Sequence, residues 1–362
     1  MKKIQYLLGI SMVLHSYVHA QTSNNIVTTA VPFLRISTDA KASGMAATGI
    51  ATTPDISAVY YNIGKLPFSS EKSVVNANYS PWLKSWSSDM YLASAGGYYK
   101  LNENEAIHGL IRYFNPGDLQ FSDNNGNHLQ SYHPNEFAVD MGYSRKLSDR
   151  IGLGIGIKYI RSDLARGTQN GQSYKAGNAV AADIGLYYNL RKENESGWSF
   201  GAQLSNLGSK ISYSENQKAF IPANLGLGAS YSKAFDEQNK LVLAVDMNKL
   251  LVPTSPADSA GAVAYSNKSV VGSWGSSFSD AALKTVQISV GAEYWYNNQF
   301  AIRAGYFYED KSNGDRKYFS AGASIRYNVF TANFSYLAAT ANSSIKNPLS
   351  NTLLFGIAIA LK

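Results

Sequence analysis

The sequence predicts an all-β chain that closes into a transmembrane antiparallel β-barrel of about 14 strands. Three observations carry that reading. The first is the stretch Asn351–Lys362, where Leu353, Phe355, Ile357, Ile359 and Leu361 alternate with Leu354, Gly356, Ala358 and Ala360. Successive strand side chains point to opposite faces, so one face is large and apolar and the other mostly small. The segment is too short for a membrane helix but suits a membrane strand of roughly 9–11 residues. The second is that similar alternation recurs from Glu71 to the end. The third is a long–short rhythm in the connections. A terminal strand at an open sheet edge recruits other chains, whereas a closed barrel pairs it with the first strand.

In chain order, residues 1–20 read as a signal peptide. Lys2 and Lys3 precede an apolar run from Ile4 to Val18, and Val18-His19-Ala20 forms a small-residue cleavage site before Gln21. The mature chain is therefore expected to be exported, with the cell outer membrane as its destination. Residues 21–70 read as an N-terminal extension and lumen hatch. Gln21–Ala30 is polar, Ser37-Thr38-Asp39 offers a helix cap, and Ala40–Ala47 is rich in small residues. Asp55–Leu66 completes a short helical hatch inside the barrel mouth. Residues 71–362 are assigned to the barrel.

The candidate strands are Ser73–Tyr79, Met90–Lys100, Ala106–Phe114, Glu136–Lys146, Ile151–Arg161, Ala179–Leu190 and Trp198–Ser205, then Pro222–Ala234, Lys240–Lys249, Thr285–Tyr296, Phe300–Tyr308, Lys317–Tyr327, Phe330–Ala338 and Thr352–Leu361. In Ile151–Tyr159, Ile151, Leu153, Ile155, Ile157 and Tyr159 oppose Gly152, Gly154, Gly156 and Lys158. Lipid takes the large apolar faces, and the lumen takes Arg303, Glu293, Asp140 and Asp183. Many outward rows end in tyrosine, as an interfacial aromatic belt does. Long connections such as Asn115–Asn135 and Leu250–Lys284 alternate with tight ones such as Leu147–Arg150 and Asn297–Gln299. A soluble sandwich has no reason to gather its long loops at one end.

Composition excludes several functions. Cysteine is absent, so neither disulfides nor thiolate chemistry is available. With 30 Gly, 25 Tyr and only 16% charged residues, the chain fits a tyrosine-girdled barrel better than a soluble enzyme. The formal charge of +7 falls to +5 without Lys2 and Lys3, too small and dispersed an excess to indicate nucleic acid. His108, His128 and His133 lie outside the leader, with no HExxH spacing. No GxSxG elbow occurs, and Gly152–Gly156 is a strand face rather than a phosphate loop. No catalytic residue, metal ligand or cofactor is expected, and the chain reads as a non-enzyme.

Partner contacts are expected at the external loops. Leu250–Lys284 carries Val252, Pro253, Val270, Val271, Trp274 and Phe278, too apolar for a spacer. Apolar groups held at a barrel mouth mark a protein contact; a loop folded over its own barrel is the equal alternative. Trp82 and Trp86 flank Lys84 in the first loop, and Phe121 and Tyr132 lie in the second. Tryptophan and tyrosine are favoured interface anchors, although Trp82 and Trp86 equally suit the outer aromatic girdle. The candidate partner-binding set is Trp82, Trp86, Tyr132, Val270, Val271, Trp274 and Phe278.

The blocks FLRISTDAKASGM (Phe33–Met45) and DISAVYYN (Asp55–Asn62), with IPANLGLG (Ile221–Gly228) and DMNKLLVP (Asp246–Pro253), resemble the PorV (LptO) family of the Bacteroidota type IX secretion system. The likeness runs over essentially the whole mature chain, and the first block is shared more loosely with FadL-like barrels. The resemblance implies a fourteen-stranded FadL-like barrel without enzymatic activity. It implies a cell-surface shuttle that binds the C-terminal signal domain of secreted cargo at an SprA-type translocon. Delivery would be to an attachment complex whose sortase-like peptidase links cargo to lipopolysaccharide. Membrane lipid or lipopolysaccharide is the remaining expected partner, with no nucleic acid. The competing readings are a FadL-like channel for hydrophobic small molecules, which needs an apolar tunnel and a wall gap, and an outer-membrane acyl hydrolase, which needs a serine near a histidine and a carboxylate.

Overall fold

The computed structural model describes residues 29–83, 89–122, 128–164, 166–169, 172–192, 195–214, 217–254, 264–265, 267–279, 285–340 and 351–361. Fourteen antiparallel strands close into one barrel. They are β1 Ser73–Pro81, β2 Tyr91–Asn102, β3 Glu105–Asn115, β4 Asn135–Lys146, β5 Ile151–Asp163, β6 Gly177–Asn189 and β7 Gly197–Gly208, followed by β8 Asn224–Ala234, β9 Asn239–Leu250, β10 Val286–Tyr296, β11 Phe300–Glu309, β12 Lys317–Tyr327, β13 Phe330–Ala339 and β14 Thr352–Leu361. The barrel closes where β1 meets β14, from Ser73 opposite Leu361 to Tyr79 opposite Phe355. The C-terminal strand thus has no free edge. No helix among the described residues is long and apolar enough to cross a membrane; the chain crosses with strands.

Every expected strand is present, and two of the boundary differences have local causes. β8 begins at Asn224 rather than Pro222, because proline has no N–H for the ladder. β7 runs past Ser205 to Gly208 through an irregularity of register opposite Ala182 and Ile184. There Asn206 takes a left-handed conformation (φ 56°), and its N–H donates to the Asp183 carboxylate at 2.7 Å. Asparagine tolerates this region because its short polar side chain bonds locally. The other difference lies in the long connections, which are not plain loops. Three of them contain hairpins of their own: Leu119–Ser122 with His128–Tyr132, Gly167–Gln169 with Gln172–Tyr174, and Ile211–Ser214 with Gln217–Ala219.

The outward face is apolar, with Ile155, Ile157, Ile302 and Ile357 exposed toward lipid. Inside, Asp140, Glu293 and Arg303 are buried in the lumen, as their alternation requires. Residues 31–69 occupy that lumen. This plug contains the 3-10 turn Pro32–Arg35, helix α1 Ala40–Ser43, helix α2 Ala58–Tyr61 and the 3-10 run Ile63–Phe68. Asp39 caps α1, its carboxylate accepting from the N–H groups of Lys41 and Ala42, each at 3.2 Å.

Candidate functional site

The long connections define the external end of the barrel and the tight turns the periplasmic end. The plug enters the lumen at the external end. Val31, Phe33 and Leu34 meet an inward ring that includes Leu92, Phe114, Phe307, Leu337 and Leu354, closing the mouth with apolar contact. The Phe33 and Phe114 rings stack at 6.4 Å. At the other end, Ile63 and Leu66 pack with Val74, Tyr98 and Ala106. The plug therefore runs the full depth of the barrel rather than capping its mouth.

Between these apolar layers the plug is fastened by polar contacts. The Asp246 carboxylate accepts from the Gly49 and Ile50 N–H groups at 2.7 and 2.9 Å. Lys65 donates to the Gly49 carbonyl at 2.5 Å, and Ser230 to the Ala51 carbonyl at 2.6 Å. Lys41 is paired with Asp55 and with Glu293 at 3.4 Å, and Glu293 accepts from Arg303 at 2.6 Å. Each pairing leaves fewer buried donors and acceptors unmet, which is the condition for polar groups to lie in a closed interior. Glycines let the two backbones touch. A Cβ on Gly152 would collide with the Gly64 carbonyl, and one on Gly305 would come within 2.5 Å of the Met45 carbonyl carbon.

Two spaces remain. One, of about 140 Å³, lies under the external seal beside Arg35, Ser37, Arg112, Lys158 and Asp183. A second, of about 330 Å³, opens near the periplasmic turns beside Asp39, Lys41, Asp55, Glu293 and Arg326. Charged side chains line both. Lys158 is held by Asp140 at 3.0 Å, Asp183 at 2.9 Å and the Asn206 amide oxygen at 2.7 Å, so this cation of the first space is already engaged.

The mouth differs from the lumen. In the connection between β9 and β10, Ser269 caps helix α3 (Val270–Ser276), its hydroxyl accepting from the Gly272 N–H at 3.1 Å. Val270 packs against the buried group Phe220, Leu250 and Val252. Val271 (69% exposed) and Phe278 (53%) point to solvent, and the Lys249 ammonium lies 5.1 Å from the Phe278 ring centre. Trp274 is half-buried, and its indole N–H is shielded with no acceptor among the described residues. The loop thus folds partly over its own barrel and partly away from it.

The other candidates separate from this group. Trp82 is buried in the external apolar cluster, near Leu92 and Met90, which removes its ring from the exposed surface. Tyr132 is half-buried, and its hydroxyl donates to the Asp163 carboxylate that also pairs with Arg166. Trp86, the expected leader 1–20 and residues 255–263 lie outside the described residues. Phe220 and Tyr265, whose rings meet edge to face at 5.2 Å, complete the mouth platform and lie outside the set expected from the sequence. The available signal was an aromatic pair in two predicted loops.

The PorV family model, described as type IX secretion system protein PorV, matches residues 19–257. Among solved structures, the toluene transporter TodX of P. putida superimposes with a TM-score of 0.57 at 12% identity, over 88% of this chain and 97% of that one. The toluene transporter TbuX of Ralstonia pickettii gives a TM-score of 0.52 at 12% identity, over 88% and 95%. At that identity the likeness is one of fold. No curated protein matches the chain. The sequence match, the closed barrel and the outward apolar belt place the chain in the outer membrane. By a match that spans well over half of its length, the chain belongs to the PorV family of the type IX secretion system.

Proposed function

We propose that this protein is an outer-membrane shuttle of type IX secretion. It binds the C-terminal signal domain of secreted cargo at an SprA-type translocon and delivers it to the sortase-like attachment complex. The observation that carries the reading is the contrast between a lumen threaded from end to end by the plug and a mouth that leaves Val271 and Phe278 uncovered. Exposed apolar groups on a loop at the mouth favour a protein partner, and membership of the family supplies its class. The described residues contain no group of histidine, aspartate and glutamate side chains placed to hold a metal, and the binding role requires no chemistry.

The second reading is a channel for hydrophobic small molecules. Its support is the fold shared with TodX and TbuX, both named as toluene transporters. It requires the plug to leave the lumen wall, breaking the Asp246, Lys41 and Ser230 contacts together. The deciding experiment is affinity purification of the native protein with identification of what accompanies it. Deleting Val263–Ser279 should leave the barrel inserted and weaken recovery of cargo and translocon. Unchanged recovery of both rejects the loop as the binding element.

A further inference from the structure

The lipid-facing wall is not evenly covered. Strand register carries a row of outward side chains across β8 to β12: Tyr231 pairs with Leu243, Leu243 with Ala292, Ala292 with Ala304 and Ala304 with Ala321. The three alanines leave a trough, because the next rows carry Val290, Tyr306 and Phe319 on one side and Tyr294 and Ile302 on the other. The hollow measures about 860 Å³. Aromatic pairs flank it, with the Trp198 and Tyr231 rings 5.1 Å apart and the Tyr306 and Phe319 rings 4.8 Å apart. Trp198 stands beside the periplasmic end of β7, whereas Ala321 lies near the middle of β12. The trough therefore rises from the periplasmic boundary toward the membrane midplane, the depth of one leaflet.

We infer that this trough holds one acyl chain of a periplasmic-leaflet phospholipid, whose phosphate is met by Lys233. Small side chains in a membrane wall let a neighbour approach closely and pack along it. From β8 to β12 the row crosses five neighbouring strands, roughly 19 Å at the usual strand spacing. One leaflet's chains reach about 15 Å, half the thickness of the hydrocarbon core, so a single chain fits the length. Lys233 is exposed and follows Tyr231 on the same face of β8, at the periplasmic end of the strand. A lysine at a membrane boundary extends its ammonium to headgroup level. The nearest carboxylate in sequence, Asp236, accepts from the Gln238 and Asn239 N–H groups at 2.8 and 2.7 Å. At the external end of the same wall, Lys317 is paired with Asp315 at 2.6 Å. Charge thus favours the periplasmic end, and with it a phospholipid rather than the lipopolysaccharide of the external leaflet. The inference is independent of the shuttle reading and needs only the barrel's place in the outer membrane.

Native mass spectrometry of the full-length protein in detergent, titrated with phosphatidylglycerol, tests the site. Each variant is first shown to give the heat-modifiable folded band. One phospholipid should bind more tightly than any further ones. Ala292→Leu with Ala304→Leu fills the trough and should weaken that binding at least about tenfold. Lys233→Glu should weaken it at least about fivefold, the scale of one cation beside an anionic headgroup. Ala77→Leu with Ala332→Leu fills a second outward hollow, of about 630 Å³, and should leave the binding unchanged. Diacylglycerol, which has the chains without the phosphate, should bind about fivefold more weakly than phosphatidylglycerol. Undiminished binding by the filled-trough variant, or an equal loss on filling the second hollow, overturns the site. Equal binding of the two lipids, or no effect of Lys233→Glu, overturns the assignment of the phosphate to Lys233. Dimers that form at the trough in place of the lipid make the occupant a second copy of the chain and also overturn the inference.

Discussion

The plug and the β9–β10 connection are both apolar-bearing segments with little regular structure, yet they end in opposite conditions. In the plug, Val31, Phe33, Ile50 and Leu66 are wholly buried, and the intervening backbone is tied to the wall by Asp246, Ser230 and Ser320. In the connection, Val252 is buried and Val270 packs beside it, while Val271 and Phe278 remain exposed. The first segment has spent its apolar surface inside the molecule. The second retains some exposed at the barrel mouth. A barrel that shares its fold with the toluene transporters thus combines a threaded lumen with exposed apolar groups at its mouth.

The comparison is sharpened by removing its supports in turn. The largest effect is expected from Glu293→Ala, which leaves Arg303 and Lys41 in the lumen without their shared carboxylate. Breaking a buried pair from one side costs roughly 3–5 kcal/mol, to be read as a lower urea midpoint for the heat-modifiable folded band. A smaller loss, about 1–3 kcal/mol, is expected from Asp246→Ala, which strands the Gly49 and Ile50 donors. Full stability of both variants would mean that the plug is not held as described. The smallest change in stability, within about 0.5 kcal/mol, is expected for Val271→Ser combined with Phe278→Ser, because both side chains already face solvent. The same double variant should lose about tenfold in cargo capture. Normal capture would make these exposures incidental and erase the contrast between the two segments.

Much of this was legible in the residues. Period-two alternation placed all fourteen strands, because a barrel wall with lipid on one face and a plug on the other imposes opposite demands on neighbouring positions. Gly152, Gly154 and Gly156 were readable as a small face, but not as the place where the Gly64 backbone lies against the wall. Such contacts join residues far apart in sequence and leave no local pattern. The direction of threading was hidden for the same reason: it depends on Ala30 meeting Phe220, not on anything within the hatch. The short helix Val270–Ser276 escaped notice because VVGSWGS has two glycines and no periodic apolar stripe. By its place in the first loop, Trp82 suits an exposed anchor or a girdle residue. It is neither, since the Trp82 N–H donates to the Met90 carbonyl at 2.9 Å and folds the ring into the external cluster.

The most direct test asks whether the protein works with its plug locked. The Ser230 hydroxyl reaches the Ala51 carbonyl at 2.6 Å, and the chain has no cysteine of its own, so Ala51→Cys with Ser230→Cys introduces one pair of thiols where plug meets wall, to be closed as a disulfide or bridged by a short dithiol-reactive crosslinker cleavable by reduction. Cargo capture is measured before and after reduction, on protein whose two thiols are shown by titration to be consumed. Equal capture in both states is the predicted result. Capture that is absent while the link is intact and returns on reduction would contradict the account, because binding would then require the lumen to open.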